Sequence, residues 1–440
     1  MSALEFKVAG WLPSDLPDIR ERETLSSLRI VAGDQPVTEV NDVLAHTVRD
    51  YIQVPAYLVA RWLLLNWWRL RWEPAPAHPS FEWRKSHSMA AISSDYAWPA
   101  LTFESDGDFI HASARAEPIA DVAAVRYLRS VDVRVSARQF ERAVDELVDV
   151  LELRLSSRVP DESEIHELRA ELREERSDPV RARACKLQAL AGIHPGDAHE
   201  NWLQAATQLA NKAGPTAGDE VVAASTTMRD GLAGADRAVE AMRASTWTVE
   251  LDPRVDVPLS VDDELPWQRG RRLASAFRAK LGGNAGLLPT AVLEDLLGNR
   301  FAAAVPMTAT PAVLGSKPLT GGYRNGANHG RTAVAVTSSR LTNQRFYVSR
   351  LIGAALVSSP ADHVLAVSDA STALQKFERS FAQELLCPWA ELDAFTDERG
   401  TNEEGVLDAA EHFEVSEYVI ISTLVNNGKI SRRRLPDELA

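Results

Sequence analysis

The chain has 440 residues, of which 45% are hydrophobic and 25% are charged, and its formal net charge at pH 7 is −14. This length predicts two or three domains of an ordinary globular protein. The negative charge disfavours general nucleic-acid binding, which needs clustered Lys and Arg facing phosphates, although it leaves room for a local basic patch.

The cysteine content and the hydropathy of the sequence help to predict the cellular compartment of the protein. Two cysteines cannot build a disulfide framework, and no CxxC or Cys/His cluster indicates structural zinc. The N-terminus lacks a charged segment followed by an apolar core, so we expect no secretion signal. The apolar stretch 52–72 contains three arginines and falls short of the ~20 apolar residues that a membrane span requires. We therefore expect a cytoplasmic protein without a membrane partner.

Residues 1–160 are predicted to form an α+β domain. Apolar residues recur at helical spacing between residues 55 and 72. The pair Asp106-Gly107 separates two apolar runs, which is a β-hairpin signal. Ser136 and Gln139 have the spacing of a capping box and predict the start of a long amphipathic helix.

Tryptophan is concentrated in this N-terminal region. Such aromatic density builds either a stacking platform for nucleic-acid bases or the core of a small domain. Because no basic stripe accompanies the tryptophans, the pattern favours the core. A further alternative is an enzyme with a pocket among Trp67, Trp83 and Trp98, although no residue indicates its chemistry.

The rest of the chain is predicted to contain three more regions and a tail. Residues 161–245 have an acidic run followed by short helices separated by Gly and Pro, which predicts an all-helical middle region. The proline-spaced stretch 246–262 is predicted to be an interdomain linker. A C-terminal domain spans residues 263–431, and residues 432–440, which begin with three arginines, form the tail.

Two segments of the C-terminal domain resemble the core helices of the ImmA/IrrE family of metallopeptidases. They are Arg345-Phe-Tyr-Val-Ser-Arg-Leu-Ile-Gly-Ala354 and Gln375-Lys-Phe-Glu-Arg-Ser-Phe-Ala-Gln-Glu-Leu-Leu-Cys-Pro388. The family's helices read roughly RFTLAHELGH and ExxANxFAAxLLMP. The matching positions are Arg345, Phe346, Gly353, Phe381, Ala382, Leu385, Leu386 and Pro388.

The resemblance covers about residues 266–430 and implies a zincin-like fold for this domain. It implies that the strand 331–336 lies at the edge of a sheet, beside the substrate. From its sequence, Thr342 is predicted to cap the helix that follows. The resemblance also implies a closing helix-turn-helix-like segment over residues 403–430.

The family's zinc-binding and catalytic positions are replaced in this chain. In HExxH, a four-residue helical step places two imidazoles on one face, within reach of one Zn²⁺, and the glutamate deprotonates the metal-bound water. By the resemblance, Arg350 and Ala354 occupy the two histidine positions, Leu351 the base position and Gln375 the third ligand position. Arginine cannot lose its proton, alanine has no donor atom and leucine cannot accept a proton. We expect a remnant cleft with no catalytic residue, metal or cofactor.

Arg350 and Gln375 leave two hypotheses open. A fixed guanidinium in place of zinc can hold a carboxylate or phosphate bidentately, with Gln375 facing it across the cleft. Alternatively, Arg350 pairs with a nearby Asp or Glu and fills the space. The pattern favours this second hypothesis.

The family's intact members cleave repressors encoded by mobile elements and regulate stress or defence genes. The resemblance therefore implies a catalytically inactive protein that binds a protein or peptide, in regulation or defence linked to phage, mobile elements or stress. The alternative is a DNA-binding transcriptional regulator that uses the region 161–245 or the segment 403–430, helped by Arg432–Arg434. The net charge disfavours this nucleic-acid partner.

Overall fold

The structure is a computed structural model. It describes residues 3–117, 125–161, 163–282, 286–301, 319–324, 331–336, 338 and 340–434. The chain divides into two compact units, Met1–Leu203 and Gln204–Ala440. The division falls inside the range 161–245 that we predicted as a separate region. Within the described part, none of the helices has the length and apolar character needed to cross a membrane.

Both units combine helices with antiparallel sheets, in agreement with the predicted mixture of α and β structure. The strands of unit 1 are β1 (Leu4–Trp11), β2 (Leu25–Ala32), β3 (Gln35–Pro36), β4 (Val40–Asp42), β5 (Thr47–Arg49), β6 (Ile52–Pro55), β7 (Thr102–Ser105), β8 (Phe109–Ala114), β9 (Val125–Tyr127) and β10 (Val131–Ser136). They form sheets with the orders β1-β2-β3, with β6 also paired to β2, then β10-β8-β7 and β5-β4-β9.

The helices of unit 1 pack partly on these sheets and partly on one another. They are α1 (Ile19–Thr24), α2 (Ala56–Leu65), α3 (Trp67–Trp72), α4 (Phe81–His87), α5 (Ala137–Arg158), α6 (Glu164–Ser177) and α7 (Pro179–Leu190); α8 (Glu200–Ala213) crosses the division between the units. The helical pattern of residues 55–72 corresponds to two helices, because the chain leaves helical geometry at Asn66.

Two local predictions for unit 1 are confirmed. Strands β7 and β8 pair as an antiparallel hairpin, and Gly107 in its turn has a φ of +99°, a left-handed conformation that glycine adopts readily. At the start of α5, the Ser136 hydroxyl accepts the Gln139 N–H while the Gln139 side chain accepts the Ser136 N–H. The tryptophans at positions 62, 67, 68, 83 and 98 are buried, as the core hypothesis predicts.

In the part of unit 2 that the structure describes, helices are combined with a four-stranded sheet. The helices are α9 (Ala217–Ser225), α10 (Gly231–Arg243), α11 (Pro266–Lys280), α12 (Thr290–Leu297), α13 (Leu341–Val357), α14 (Ala373–Leu386), α15 (Trp389–Arg399), α16 (Glu403–Phe413) and α17 (Glu417–Asn426). The strands are β11 (Thr248–Glu250), β12 (Thr320–Arg324), β13 (Arg331–Ala335) and β14 (Val364–Val367), in the order β11-β13-β12-β14.

The position of β13 corrects one prediction. The resemblance implied that residues 331–336 form an edge strand, but β13 lies inside the sheet. It pairs antiparallel with β11 on one side and with β12 on the other. The strand that covers its edge comes from residues 248–250, within the stretch predicted as a linker, so part of that stretch belongs to the sheet of unit 2.

Helix α14 is the central element of the helical layer and packs against both α11 and α13. Its close approach to α11 requires a glycine. A Cβ atom at Gly270 of α11 would lie 2.5 Å from the backbone oxygen of Phe377 and 2.9 Å from the backbone nitrogen of Phe381. This contact brings α14 into position beside α13, where the predicted site residues lie.

Candidate functional site

Helices α13 and α14 bring Arg350 and Gln375 into direct contact. The Arg350 Nη2 group donates to Gln375 Oε1 at 2.6 Å and to the Ser368 carbonyl oxygen, also at 2.6 Å. Both side chains are almost completely buried. Glu220 and Glu378 lie in the same interior region, and we refer to these two residues together with Arg350, Ser368 and Gln375 as the buried polar cluster.

The Gln375 amide uses all of its hydrogen-bonding capacity inside the protein. Its Nε2 donates to the Ala366 carbonyl at 2.9 Å and to Glu220 Oε2 at 3.1 Å. Its Oε1 accepts from the Ser368 N–H at 2.8 Å and from Arg350 at 2.6 Å. Since a primary amide offers two donors and two acceptor sites, none remains for a ligand.

The same amide substitutes for a neighbouring strand at the edge of the sheet. Along a β-strand, the carbonyl of one residue and the N–H of the residue two positions later face the same side. Ala366 and Ser368, at the end of β14, present such a pair, and Gln375 binds both groups. Among the described strands, β14 has a partner on one side only, and the Gln375 side chain covers backbone groups on its other side.

Glu220 reaches the cluster from α9 and is linked to the start of α14. Its Oε2 accepts from the Thr372 hydroxyl at 2.7 Å as well as from Gln375. Thr372 is the N-cap of α14, where its hydroxyl accepts the Gln375 N–H. One carboxylate thus connects α9 to α14 through two buried hydrogen bonds.

Glu378 follows Gln375 by three residues on α14 and is completely buried. Its Oε2 lies 3.5 Å from Arg350 Nη2, and neither carboxylate oxygen has a hydrogen bond of good geometry with the described residues. Burial raises the pKa of this carboxyl well above its usual range, the charge of Arg350 opposes that rise and the charge of Glu220 adds to it. This arrangement places an acidic side chain beside Arg350 and fills the space around it, as the second hypothesis expects.

Leu351 and Ala354 belong to the hydrophobic core. Both side chains are 1% exposed and lie in the apolar cluster of unit 2 that also contains Phe377 and Phe381. Of the four predicted remnant positions, the structure therefore places two in the buried polar cluster and two in the apolar core.

The residues at these positions do not fit a zinc ion. Zinc needs deprotonated donors with free lone pairs. Arg350 has none, Ala354 has no donor atom and the oxygen of Gln375 already accepts two hydrogen bonds. In the part of the chain that the structure describes, no group of three or more His, Cys, Asp or Glu residues is arranged to hold a metal.

The guanidinium group of Arg345, which matches the family motif, is held by hydrogen bonds inside unit 2. Its side chain is completely buried and donates to the Leu288 carbonyl and to Glu414 Oε2, both at 2.7 Å. It also donates to the Thr290 hydroxyl at 2.5 Å, so it connects α13 to α12 and to the turn after α16. The N-cap of α13 is Arg340, and the prediction that Thr342 caps this helix is wrong.

The C-terminal helices α16 and α17 form the segment considered for DNA binding. Glu414 in the turn between them has a left-handed φ of +50°. Helix α17 begins with Glu417 and carries no Lys or Arg, so it lacks the cationic donors that commonly contact phosphates and guanine edges. Arg432–Arg434 form a separate 3-10 turn after α17.

Sequence reasoning did not identify Glu220 or Ser368. Glu220 lies more than 100 residues before its partners, in an alanine-rich helix with no motif, and Ser368 participates through its backbone. The pair Asn325-Gly326, a dipeptide whose sequence predicts a turn, and residues 435–440 of the predicted tail lie outside the described residues. A comparison of the chain with protein-family models, with curated proteins and with solved structures finds no match.

Proposed function

We propose that this chain is a catalytically inactive, peptidase-like protein that acts by binding a protein or peptide partner. The observation that carries the proposal is the contact between Arg350 and Gln375. The resemblance to ImmA/IrrE peptidases assigns these residues to the first and third ligand positions, on two different helices. A zinc site requires its ligand positions to converge in this way.

The chemistry of the converging residues supports the absence of zinc hydrolysis. The space between α13 and α14 is filled by internal hydrogen bonds and by the apolar side chain of Leu351. No base stands where the family has its glutamate, and Gln375 has no free lone pair. A protein that has lost the catalytic residues of this core can still act by binding a partner.

The biological process in which the protein acts is inferred from the same resemblance. Intact members of that family act on repressors in stress, phage and mobile-element regulation, so we assign this protein to regulation or defence of that kind. The partner does not add a strand beside β13, because β11 and β12 occupy both of its edges. Its binding surface therefore lies elsewhere on the chain.

Elemental analysis of the purified full-length chain, with an EDTA-treated control, tests the loss of the metal site. We expect less than stoichiometric zinc and no zinc-dependent hydrolysis of an unfolded protein substrate. One zinc ion per chain, removed by EDTA together with hydrolytic activity, would overturn the proposal.

A second experiment tests the resemblance itself by restoring the family's residues. The quadruple variant carries Arg350→His, Leu351→Glu, Ala354→His and Gln375→Glu. We expect it to bind zinc, and we expect the matched triple variant that keeps Ala354 to bind zinc much more weakly. A quadruple variant with native circular dichroism and no gain in zinc would contradict the resemblance.

A further inference from the structure

Unit 2 has a cleft outside the buried polar cluster. It has a volume of about 470 Å³ and lies between the first turn of α13, the second half of α16 and the start of α17. This volume falls within the roughly 300–1,000 Å³ that is typical of ligand pockets. None of the four remnant positions lines it.

The lining of the cleft is apolar and partly uncovered. Ala410 and Val415 are buried in it, whereas Leu341 and Leu407 are 47% and 46% exposed. Two exposed leucines on one concave surface differ from scattered surface leucines, because a single side chain entering the cleft can bury both. The cleft thus offers space for an apolar anchor residue.

The charges that line the cleft are mainly negative. The guanidinium of Arg345 is paired with Glu414 at 2.7 Å, so these two charges compensate each other. Among the described residues that line the cleft, the carboxylates of Glu411 and Glu417 then stand against one unpaired cation, Arg340, and these three residues are exposed.

The charge pattern continues along α16. Glu403 precedes Leu407 by four residues and Glu411 follows it by four, so an exposed acidic residue stands one turn before and one turn after the leucine on the same helix face. We propose that this cleft binds a basic peptide segment with an apolar anchor side chain. The anchor packs between Leu341 and Leu407, and Lys or Arg residues beside the anchor face the acidic rim. This inference rests on the proposed function, because it names the surface and the chemistry of the partner.

Fluorescence anisotropy with two labelled synthetic peptides tests the proposal. The probe is a short amphipathic peptide of lysine and leucine, and its control has glutamate in place of lysine. We expect saturable binding of the lysine peptide to the full-length chain, and no binding of the glutamate peptide. Because the rim charges are exposed, affinity for the lysine peptide should fall as salt is raised.

Two serine variants separate specific binding from attraction to the net negative charge. Leu407→Ser removes the apolar contact without changing charge, and we expect it to weaken binding about tenfold or more. Leu259→Ser is the matched control, because Leu259 is exposed to a similar extent, 43% against 46%, and lies in the same unit outside the cleft. It should leave the affinity unchanged.

The outcomes distinguish this inference from the proposed function. Equal affinity of the two serine variants and the wild type would overturn the inference, since the peptide would then be held by charge alone. Absence of saturable binding would overturn it as well. Neither result changes the zinc content of the chain, so the elemental analysis still decides separately whether the peptidase-like site is inactive.

Discussion

Arg350 is held by several interior groups of unit 2, and removing it should cost stability. It donates to two buried oxygens and lies 3.5 Å from the buried carboxyl group of Glu378. We expect Arg350→Ala to lower the free energy of unfolding by about 3 kcal/mol or more, because the buried oxygens of Ser368 and Gln375 lose a charged hydrogen-bond donor and the missing side chain leaves a cavity. Chemical denaturation monitored by circular dichroism measures the change.

Arg340 provides the matched control on the same helix. It is exposed, and Arg340→Ala should change stability by no more than about 0.5 kcal/mol. If Arg350 instead serves as the anion site of the first hypothesis, then Arg350→Ala will abolish binding of a carboxylate or phosphate ligand with almost no loss of stability. That result would contradict the structural role argued here.

His87 makes the stability of unit 1 depend on pH. Its ring stacks on Trp83 with centroids 4.1 Å apart, and its Nδ1 lies 2.9 Å from the Trp83 carbonyl. Burial lowers the pKa of His87 from 6.5 to about 4. Between these values the unfolded chain binds a proton that the folded chain does not, so stability is lost as the pH falls from 6.5 to about 4.

The variant His87→Phe tests this dependence. Phenylalanine keeps the stacking but cannot titrate, so the part of the decrease that His87 contributes over this range, about 3 kcal/mol, should be absent from the variant. Urea unfolding at several pH values, followed by tryptophan emission, measures it. Above pH 7, where position 87 is uncharged in both states, the two proteins should differ only by a constant. If the stabilities of the wild type and the variant change in parallel down to pH 4, His87 is not the group that causes the pH dependence.

At the scale of elements, the approach of α11 to α14 should depend on one glycine. A methyl group at Gly270 would meet backbone atoms of α14 at 2.5 Å, and backbone cannot move aside as a flexible side chain can. We expect Gly270→Ala to destabilise unit 2 by about 2 kcal/mol, because the cost of overpacking exceeds the gain in helix propensity.

Gly234 of α10 supplies the control for this substitution. The nearest atom to a methyl group there is the flexible end of Met228 at 3.4 Å, so Gly234→Ala should be neutral or stabilise by up to about 1 kcal/mol. Thermal unfolding compares the two variants. If the two substitutions change stability equally, then helix propensity, and not the contact with α14, determines the effect of Gly270→Ala.

The elements that sequence predicted correctly are those with local signals. The capping box of Ser136 and the Asp106-Gly107 turn act over three or four residues, and both are present in the structure. The position of β13 depends on its partner strand β11, which lies about 80 residues earlier. A strand of three residues has no distinct sequence pattern, so this pairing could not be predicted. The four hydrogen bonds of Gln375 likewise join groups from α9, α13 and the end of β14. The sequence therefore predicted only that Gln375 aligns with the family's third ligand position, and not its bonding partners.

At the scale of the whole molecule, each unit has hydrophobic clusters of its own. The cluster of unit 1 contains residues up to Ala189, and the two clusters of unit 2 begin at Leu209 and Trp247. Eight of the eleven tryptophans belong to residues 1–203, so tryptophan emission reports mainly on unit 1. Segments with separate cores are expected to unfold as separate cooperative units.

We therefore predict two unfolding transitions, each shifted by a different substitution. When the pH is lowered from 7 to 5, the stability of His87→Phe relative to the wild type should rise only in the transition seen by tryptophan emission. Arg350→Ala should lower only the other transition. Hydrogen exchange with mass spectrometry assigns each transition to peptides from residues 1–203 or 204–440. Each variant is the control for the other unit. If both substitutions shift one common transition, the two units are coupled in folding, and the buried polar cluster then stabilises the entire chain.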